Sequence, residues 1–452
     1  MVRHWGVLLV LMLIGSQLGA QEVTNISPLE TETTEPIADV TSSANFLTAN
    51  SFDPTLALVE FTATELVQIS NLTLSKRTPA QDLSNRYANQ PNAAILGKNL
   101  FFDLRLSSDN KASCATCHNP QQGWSTPDPR ITLRGVTLTR HTPSLWNTGH
   151  QRWQFWDGRA DSVWLQALES MENEAEMRGD RVTAVRLILS DPALLATYRS
   201  VFGELPAELS LATLPLRAKP RPINEPLVAA EDSVYQAWTQ LPATVRQSIN
   251  HVAINLMKTI AAFEMTIESP ATRFDQFVDQ LITDQGQITP DNNFISAEEQ
   301  QGLKLFVGKA QCIQCHFGFN LSDGEFHRIF FENKTTDMGR ASGIVQVLKN
   351  PFNSSSPYAD HHSSEPNRMQ LLNAVSTVPF RAAFKTPTLR NLTTSAPYMH
   401  DGRFSTLEAV IKHYNEIQPR GHHAEEVLKP LGLTTQEQQY LVKFLQTLSA
   451  QP

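Results

Sequence analysis

Ser113-Cys114-Ala115-Thr116-Cys117-His118, echoed by Gln311-Cys312-Ile313-Gln314-Cys315-His316, is the stretch from which the rest of the chain can be read. Two thiols separated by two residues can each add to one vinyl group of the same haem, and a histidine directly after them can ligate its iron from the proximal side. Two such pairs could instead build a tetrahedral zinc site or a pair of redox-active disulfides. Both alternatives leave the histidines without a role, and zinc would have to join pairs 198 residues apart. The motifs therefore predict two covalently bound c-type haems, one on Cys114, Cys117 and His118 and one on Cys312, Cys315 and His316. The chain has 4 cysteines in all, so none remains for a structural disulfide.

Length and charge narrow the rest. A chain of 452 residues can form two or three domains with a substantial core. A formal charge of -8 without a Lys/Arg-rich block argues against nucleic acid as a partner. Residues 1–20 read as a secretory signal: Arg3 and His4 precede the apolar run Trp5 to Ile14, and Gly19-Ala20 offers small residues for cleavage. That run is too short to span a bilayer and no cysteine follows it to carry a lipid, so no stable membrane anchor is expected. A periplasmic location follows, in keeping with haem attachment outside the cytoplasm.

Residues 21–63, rich in Thr, Ser, Glu and Pro, read as a disordered leader. Asn92 to Phe102 has apolar residues at helical spacing and delivers the chain to the first haem motif. Ala184 to Phe202 reads as two helices meeting at Asp191-Pro192, and Asn250 to Glu268 as one long helix. Prolines between 204 and 246 should break any long regular element. Asp284 to Asn293 looks like a domain linker, followed by a capping box at Ser296 to Glu299; a second box at Thr434 to Glu437 opens a terminal helix. Few strands are visible. The expected fold is mainly α, with two cytochrome c-like haem domains and long irregular loops: 64–283, carrying an insertion at 204–246, and 284–452, whose last helix could pack back on the first domain. Leu100-Phe101 and Leu305-Phe306 each end a helix before a haem motif, which reads as an internal duplication. Trp146, Trp153, Phe155 and Trp164 read as core.

From Ala94 to the C-terminus the chain resembles the bacterial diheme cytochrome c peroxidase superfamily. The resemblance rests on Leu96 to Asp103, both haem motifs, Gln154-Phe155-Trp156-Asp157-Gly158-Arg159-Ala160, Gln166-Ala167, Glu176-Met177, Pro387 to Asn391 and Pro397 to Phe404. It is nearest to the MauG- and MbnH-like branch. The superfamily's sixth ligand to the C-terminal haem, usually methionine, lies fourteen residues after the histidine of the PYxH block; counting from His400 gives Tyr414, with His413 as the neighbour if the register slips by one. An oxygen donor there favours ferric and higher-valent iron. Leu133, 23 residues before Trp156, stands where relatives that need reductive activation carry a ligating loop histidine, which implies an open first haem; His141 lies in the same loop.

The resemblance further implies Glu176 as the distal acid-base residue, Gln166 as a distal glutamine, with Ser170 where a proline is common, and Trp156 as the aromatic between the haems. Glu169, Glu172 and Glu174 read as a solvated face. A calcium ion between the domains would be held through the backbone carbonyls of Ser395 and Pro397. Insertions 204–246 and 328–383, the second with Pro351-Phe352-Asn353 and His361-His362, suit partner docking or surface elaboration. The leading function is a hydrogen-peroxide-dependent diheme oxidase acting on a periplasmic protein, one whose tryptophan is modified in MauG- and MbnH-like relatives. The alternatives are a conventional cytochrome c peroxidase fed by a small redox protein, and a non-enzymatic electron-transfer cytochrome. A homodimer is one open assembly.

Overall fold

The computed structural model describes residues 59–222, 232–288, 292–329, 336–360, 368–417 and 428–450. The expected signal segment, most of the 21–63 leader and the His361-His362 pair lie outside them. In chain order the first part contains α1 (Ala63–Ser70), α2 (Pro91–Phe101), the haem-motif turn α3 (Cys114–Cys117), a hairpin of β1 (Thr132–Leu133) and β2 (Val136–Thr137), α4 (Val163–Glu172), α5 (Arg181–Ser190), α6 (Pro192–Phe202), α7 (Asp232–Gln240) and α8 (Ala243–Glu264). The remainder contains α9 (Arg273–Thr283), α10 (Ala297–Val307), β3 (Phe326–His327), α11 (Arg340–Lys349), α12 (Arg368–Asn373), β4 (Phe384–Lys385) paired with β3, α13 (Leu407–Glu416) and α14 (Thr435–Thr447). The mainly α class and the long irregular connections are as expected.

Local chemistry places most helix ends. Asp191 closes α5 and caps α6 by accepting from the N–H groups of Ala193 and Leu194, with Pro192 in the first helical position. Thr62, Ser296 and Thr434 form capping boxes with Glu65, Glu299 and Glu437. The long helix α8 starts earlier than expected because Pro242 stands as its N-cap, where a missing N–H costs nothing. The stretch 204–246 is likewise not all irregular: between Pro226 and Pro242 no proline interrupts the chain, and α7 forms there.

Two apolar clusters organise the protein. The first gathers α2, α4, α5 and α8; the second gathers α9, α10, α13 and α14 and takes in Ile69 and Leu72 from the N-terminal side. α9 therefore packs with the second cluster although it precedes the expected linker, through Phe274, Phe277, Val278 and Leu281. The terminal helix α14 lies on α10 in that same cluster rather than on the first domain, because Leu441, Phe444 and Leu445 find their apolar complement there.

The duplication is visible at atomic detail. The pairs α2 with α8 and α10 with α14 make the most extensive helix contacts among the described residues. Each crossing is built on a glycine: a Cβ on Gly97 would stand 1.8 Å from the carbonyl oxygen of Thr259, and one on Gly302 2.1 Å from that of Tyr440. Four residues on, Phe101 meets Phe263 at 5.2 Å between ring centroids and Phe306 meets Phe444 at 5.1 Å. The absent side chains let the backbones approach, and the phenylalanines fill the space beside the crossing.

Candidate haem centres

Each helix crossing hands the chain to a haem motif whose turn orients the histidine in the same way. His118 N donates to Cys114 O and His316 N to Cys312 O, both at 2.9 Å. The His118 Nδ1–H then donates to the carbonyl of Trp124 at 3.0 Å, and that of His316 to the carbonyl of Leu321 at 2.9 Å. Both acceptor residues hold the left-handed backbone, φ 57° at Trp124 and 50° at Leu321, which is uncommon outside glycine and points to a constrained site. With Nδ1 committed, Nε2 is the atom left to bind a metal, and a second-sphere carbonyl of this kind raises its basicity. Burial pulls His118 down to about 4 and lowers His316 as well, so both imidazoles are neutral at pH 7.

None of the four cysteines is disulfide-bonded. Burial raises the thiols of Cys114, Cys117 and Cys312, the last two to about 12.

A cavity of about 960 Å³ opens beside Cys117 and His118 and is lined by Gln166, Ser170, Glu176, Trp156 and Glu264. A smaller one of about 40 Å³, room for a water-sized ligand, adjoins the same motif and is walled by Leu133, Gln166, Ser170, Glu176 and Glu264. Leu133 reaches this wall from the β1–β2 hairpin, whose Arg134-Gly135 turn has positive φ at both residues. Arg134 then binds Asp109 through two nitrogens and donates to the carbonyl of Glu176 at 2.5 Å, pinning the loop that carries the glutamate. The Glu176 carboxylate accepts from Asn173 Nδ2 at 3.1 Å. Gln166 Nε2 donates to Ser170 Oγ at 3.0 Å, so the serine tethers the glutamine in the cavity wall.

The second cavity, about 300 Å³, is lined by Cys312, Cys315, His316 and Tyr414. Leu407, Val410, Ile411 and Tyr414 face it together, one stripe of α13 at helical spacing. His413 is off that stripe and packs against the Phe404 ring at 5.4 Å. Ser395 and Pro397 also line this cavity, but no carboxylate does among the described residues. The cluster of Cys315, Asp323 and His327 comes within metal-binding distance, yet its thiol belongs to the haem motif and its carboxylate already accepts from His327 at 2.7 Å.

Trp156, His141 and Phe155 line both cavities. The Trp156 indole N–H donates to the carbonyl of His141 at 2.8 Å. His141 itself is buried, with ring contacts to Ser125 Oγ at 3.3 Å and Asp128 O at 3.2 Å. Phe155 is not plain core: its backbone is left-handed and the Arg159 guanidinium lies 3.4 Å over its ring.

A family model described as di-haem cytochrome c peroxidase matches residues 91–282. The methylamine utilization protein MauG of Methylorubrum extorquens is 30% identical over 367 residues, 80% of this chain and 79% of that protein. The chain belongs to the di-haem cytochrome c peroxidase family. Another relative of this family, the cytochrome-c peroxidase IdrP2 of a Pseudomonas species, is 29% identical over 81% of this chain and 83% of its own. The fold agrees with that of a MauG-like protein associated with microbial copper homeostasis, at TM-score 0.54 and 21% identity over 83% of this chain and 93% of the other. The diheme peroxidase BthA of Burkholderia thailandensis gives TM-score 0.54 at 20% identity, over 80% and 86% of the two chains.

As a member of this family of peroxidase-type oxidoreductases, the chain holds two haems, and the two cavities fit them: each has a neutral histidine oriented through Nδ1 and a pair of unbridged thiols at its edge. Sequence reasoning misjudged the acidic run before Glu176. Glu169 pairs with Arg159 at 3.3 Å and accepts from Asn350 at 2.7 Å; Glu172 pairs with Arg181 at 2.9 Å; Glu174 pairs with Lys219 at 2.6 Å. These are part-buried partners rather than a solvated face, and burial, opposed by Arg159, pushes Glu169 up to about 7. Lys219 and Asn350 come from the two insertions, so the solvated reading failed on residues far along the chain. Glu264 and Lys385 were also missed. Lys385 lines both cavities, bonds Gln151 and the carbonyl of Trp153, and is drawn down to about 7 by burial. No local pattern marks either one.

Proposed function

We propose that this protein is a periplasmic diheme c-type oxidase that uses hydrogen peroxide to accumulate two oxidising equivalents across its two haem centres and Trp156, and delivers them to a partner protein. Tyr414, turned by α13 into the His316 cavity, is the observation that carries this reading beyond a simple peroxidase. A phenolate ligand would favour ferric and higher oxidation states, where a methionine would favour ferrous. Burial alone would keep that phenol protonated, so the iron's positive charge has to supply what the phenolate needs. Thioether bonds from Cys114, Cys117, Cys312 and Cys315 would hold both haems, and carbonyls of Ser395 and Pro397 remain the candidate calcium donors. No helix among the described residues is long and apolar enough to cross a membrane.

Haem bound at His118 would supply the iron at which the O–O bond of peroxide is reduced by two electrons. Glu176 takes a proton from one peroxide oxygen and returns it to the other, which leaves as water; the first oxygen leaves as a second water once two electrons from the partner and two protons from solvent have been supplied. Gln166, held by Ser170, orients the incoming peroxide, while Asn173 and Arg134 keep the Glu176 loop in place. Leu133 covers the cavity without offering a ligand atom. Trp156, fixed between the cavities by its bond to His141, relays electrons from the His316 side. The electrons come from the partner.

The conventional alternative, a peroxidase drawing on a small redox protein, is supported by relatives named cytochrome-c peroxidase at nearly equal identity. EPR of the ferric protein before and after peroxide, with no reductant added, separates the readings. One high-spin haem that reacts at once, with loss of both ferric signals, supports the oxidase. A requirement for prior reduction favours the conventional peroxidase, and absence of any high-spin haem leaves only electron transfer.

A further inference from the structure

The duplicated helix crossings allow a residue-by-residue comparison of the two haem cavities. Thr259 and Phe263 of α8 stand where Tyr440 and Phe444 of α14 stand, each pair touching the same glycine and phenylalanine of its partner helix. The next residue is Glu264 in α8 and Leu445 in α14. Both line the haem cavity of their own half. Leucine meets the packing requirement at this position, as the second half shows. Glu264 is 3% exposed and its Oε2 has no hydrogen-bond partner. A buried carboxyl without a partner disfavours the fold, so its presence at a site that accepts leucine calls for a role in chemistry.

We propose that Glu264 is the proton-holding residue of the His118 cavity, protonated while the haem in that cavity is reduced and giving up its proton when that haem is oxidised. The electron passes to the oxidant, a one-electron redox mediator in the test below. The proton passes from the carboxyl group to water, and the net charge of the cavity does not change. In a low-dielectric pocket an added positive charge stabilises a neighbouring carboxylate, and by linkage the carboxylate stabilises the oxidised haem equally. Burial supplies the protonated starting condition: it lifts Glu264 to about 8, leaving the acid neutral at pH 7 before the haem is oxidised. Leu445 cannot do this, so the two cavities respond differently to oxidation.

Most of the other titratable groups around Glu264 are committed to partners. The small cavity it shares is faced by Cys114, Cys117 and His118 on the haem turn and by Glu176 after α4, whereas α4 itself contributes only Gln166, Ala167 and Ser170. On the other elements packed against α8, Lys98 of α2 is exposed, Arg181 of α5 is paired with Glu172, and His150 is paired with Glu268. In the wider cavity Arg140 is paired with Asp157 and Asp337, Lys219 with Glu174 and Arg159 with Glu169, while His141 contacts Ser125 and Asp128 and Lys385 is held by Gln151 and Trp153; Glu169, raised to about 7, is the other acid there, and Glu264→Gln separates its contribution from that of Glu264.

The inference rests on His118 as haem ligand and deepens the function proposed above. Spectropotentiometry of the holoprotein from about pH 6 to about pH 9 tests it without peroxide. In wild type the midpoint potential of the His118 haem should fall with pH, with a slope approaching about 59 mV per pH unit, the value for one proton per electron. Glu264→Gln and Glu264→Leu, the latter copying Leu445, should each reduce that slope while the His316 haem keeps its own pH dependence. A flat wild-type response, or a slope unchanged in Glu264→Gln, overturns the proposal. Haem counts on the same samples exclude misassembly, and the near-isosteric Gln variant carries the test if the Leu variant loses haem. Because the measurement is made at equilibrium, its outcome stands whether the protein proves to be a protein oxidase or a conventional peroxidase.

Discussion

The indole N–H of Trp156 donates to the carbonyl oxygen of His141 at 2.8 Å, and the Trp156 carbonyl accepts from the N–H of Lys385 at 2.8 Å. Trp156 is thus held at both its ring and its backbone, in the wall shared by the two cavities. Phenylalanine would keep most of the packing but lose the ring's bond and its ease of oxidation. Trp156→Phe should leave the first reaction with peroxide nearly intact and slow the response of the His316 haem, followed by stopped-flow spectra of the two haems. Simultaneous, wild-type-like changes at both haems would remove Trp156 from the relay.

Glu176→Gln keeps the shape and the bond to Asn173 but removes the base. Peroxide should still enter, while its reduction slows by about 10²–10⁴-fold, the usual contribution of a positioned acid-base group. Rapid mixing with peroxide reads this directly, and equal rates in the two proteins would rule out the role.

Tyr414→Phe removes the only oxygen of that side chain while leaving the stripe of α13 apolar. The low-spin ferric EPR signal of the His316 haem should change, and Tyr414→Met should raise its reduction potential. An unaltered signal in Tyr414→Phe would exclude ligation by this residue. His413, packed on Phe404 away from the cavity-lining stripe, is not expected to take its place, so His413→Gln should leave the signal unchanged.

Gly97→Ala and Gly302→Ala each force a methyl group onto a carbonyl of the partner helix, at Thr259 and Tyr440. Overpacking of this kind costs about 1–3 kcal/mol, occasionally more. Thermal unfolding followed at each haem's absorbance should show Gly97→Ala loosening the His118 half and Gly302→Ala the His316 half. Unshifted transitions would mean that the crossings have slack to give.

Much of the site could be read locally. Both haem motifs, the capping boxes at Ser296 and Thr434, and the Asp191-Pro192 junction depend on covalent chemistry and on backbone preferences within a few residues. That Tyr414 lines the His316 cavity and His413 does not follows from helical spacing: with Leu407, Val410 and Ile411 facing the cavity, residue 414 continues their stripe and residue 413 leaves it.

What the sequence by itself determined, then, was the two haem motifs, the helical elements and the duplicated plan, because each is encoded in short spacings. Only the tertiary structure decided which polar groups are dry. Glu169 and Glu174 became ion-pair partners because Arg159, Asn350 and Lys219 fold over them, and Glu264 became a lone buried acid because its helix end faces the His118 cavity. A carboxylate's charge state depends on desolvation and on neighbours brought in from distant segments, and neither quantity is written in the residues beside it.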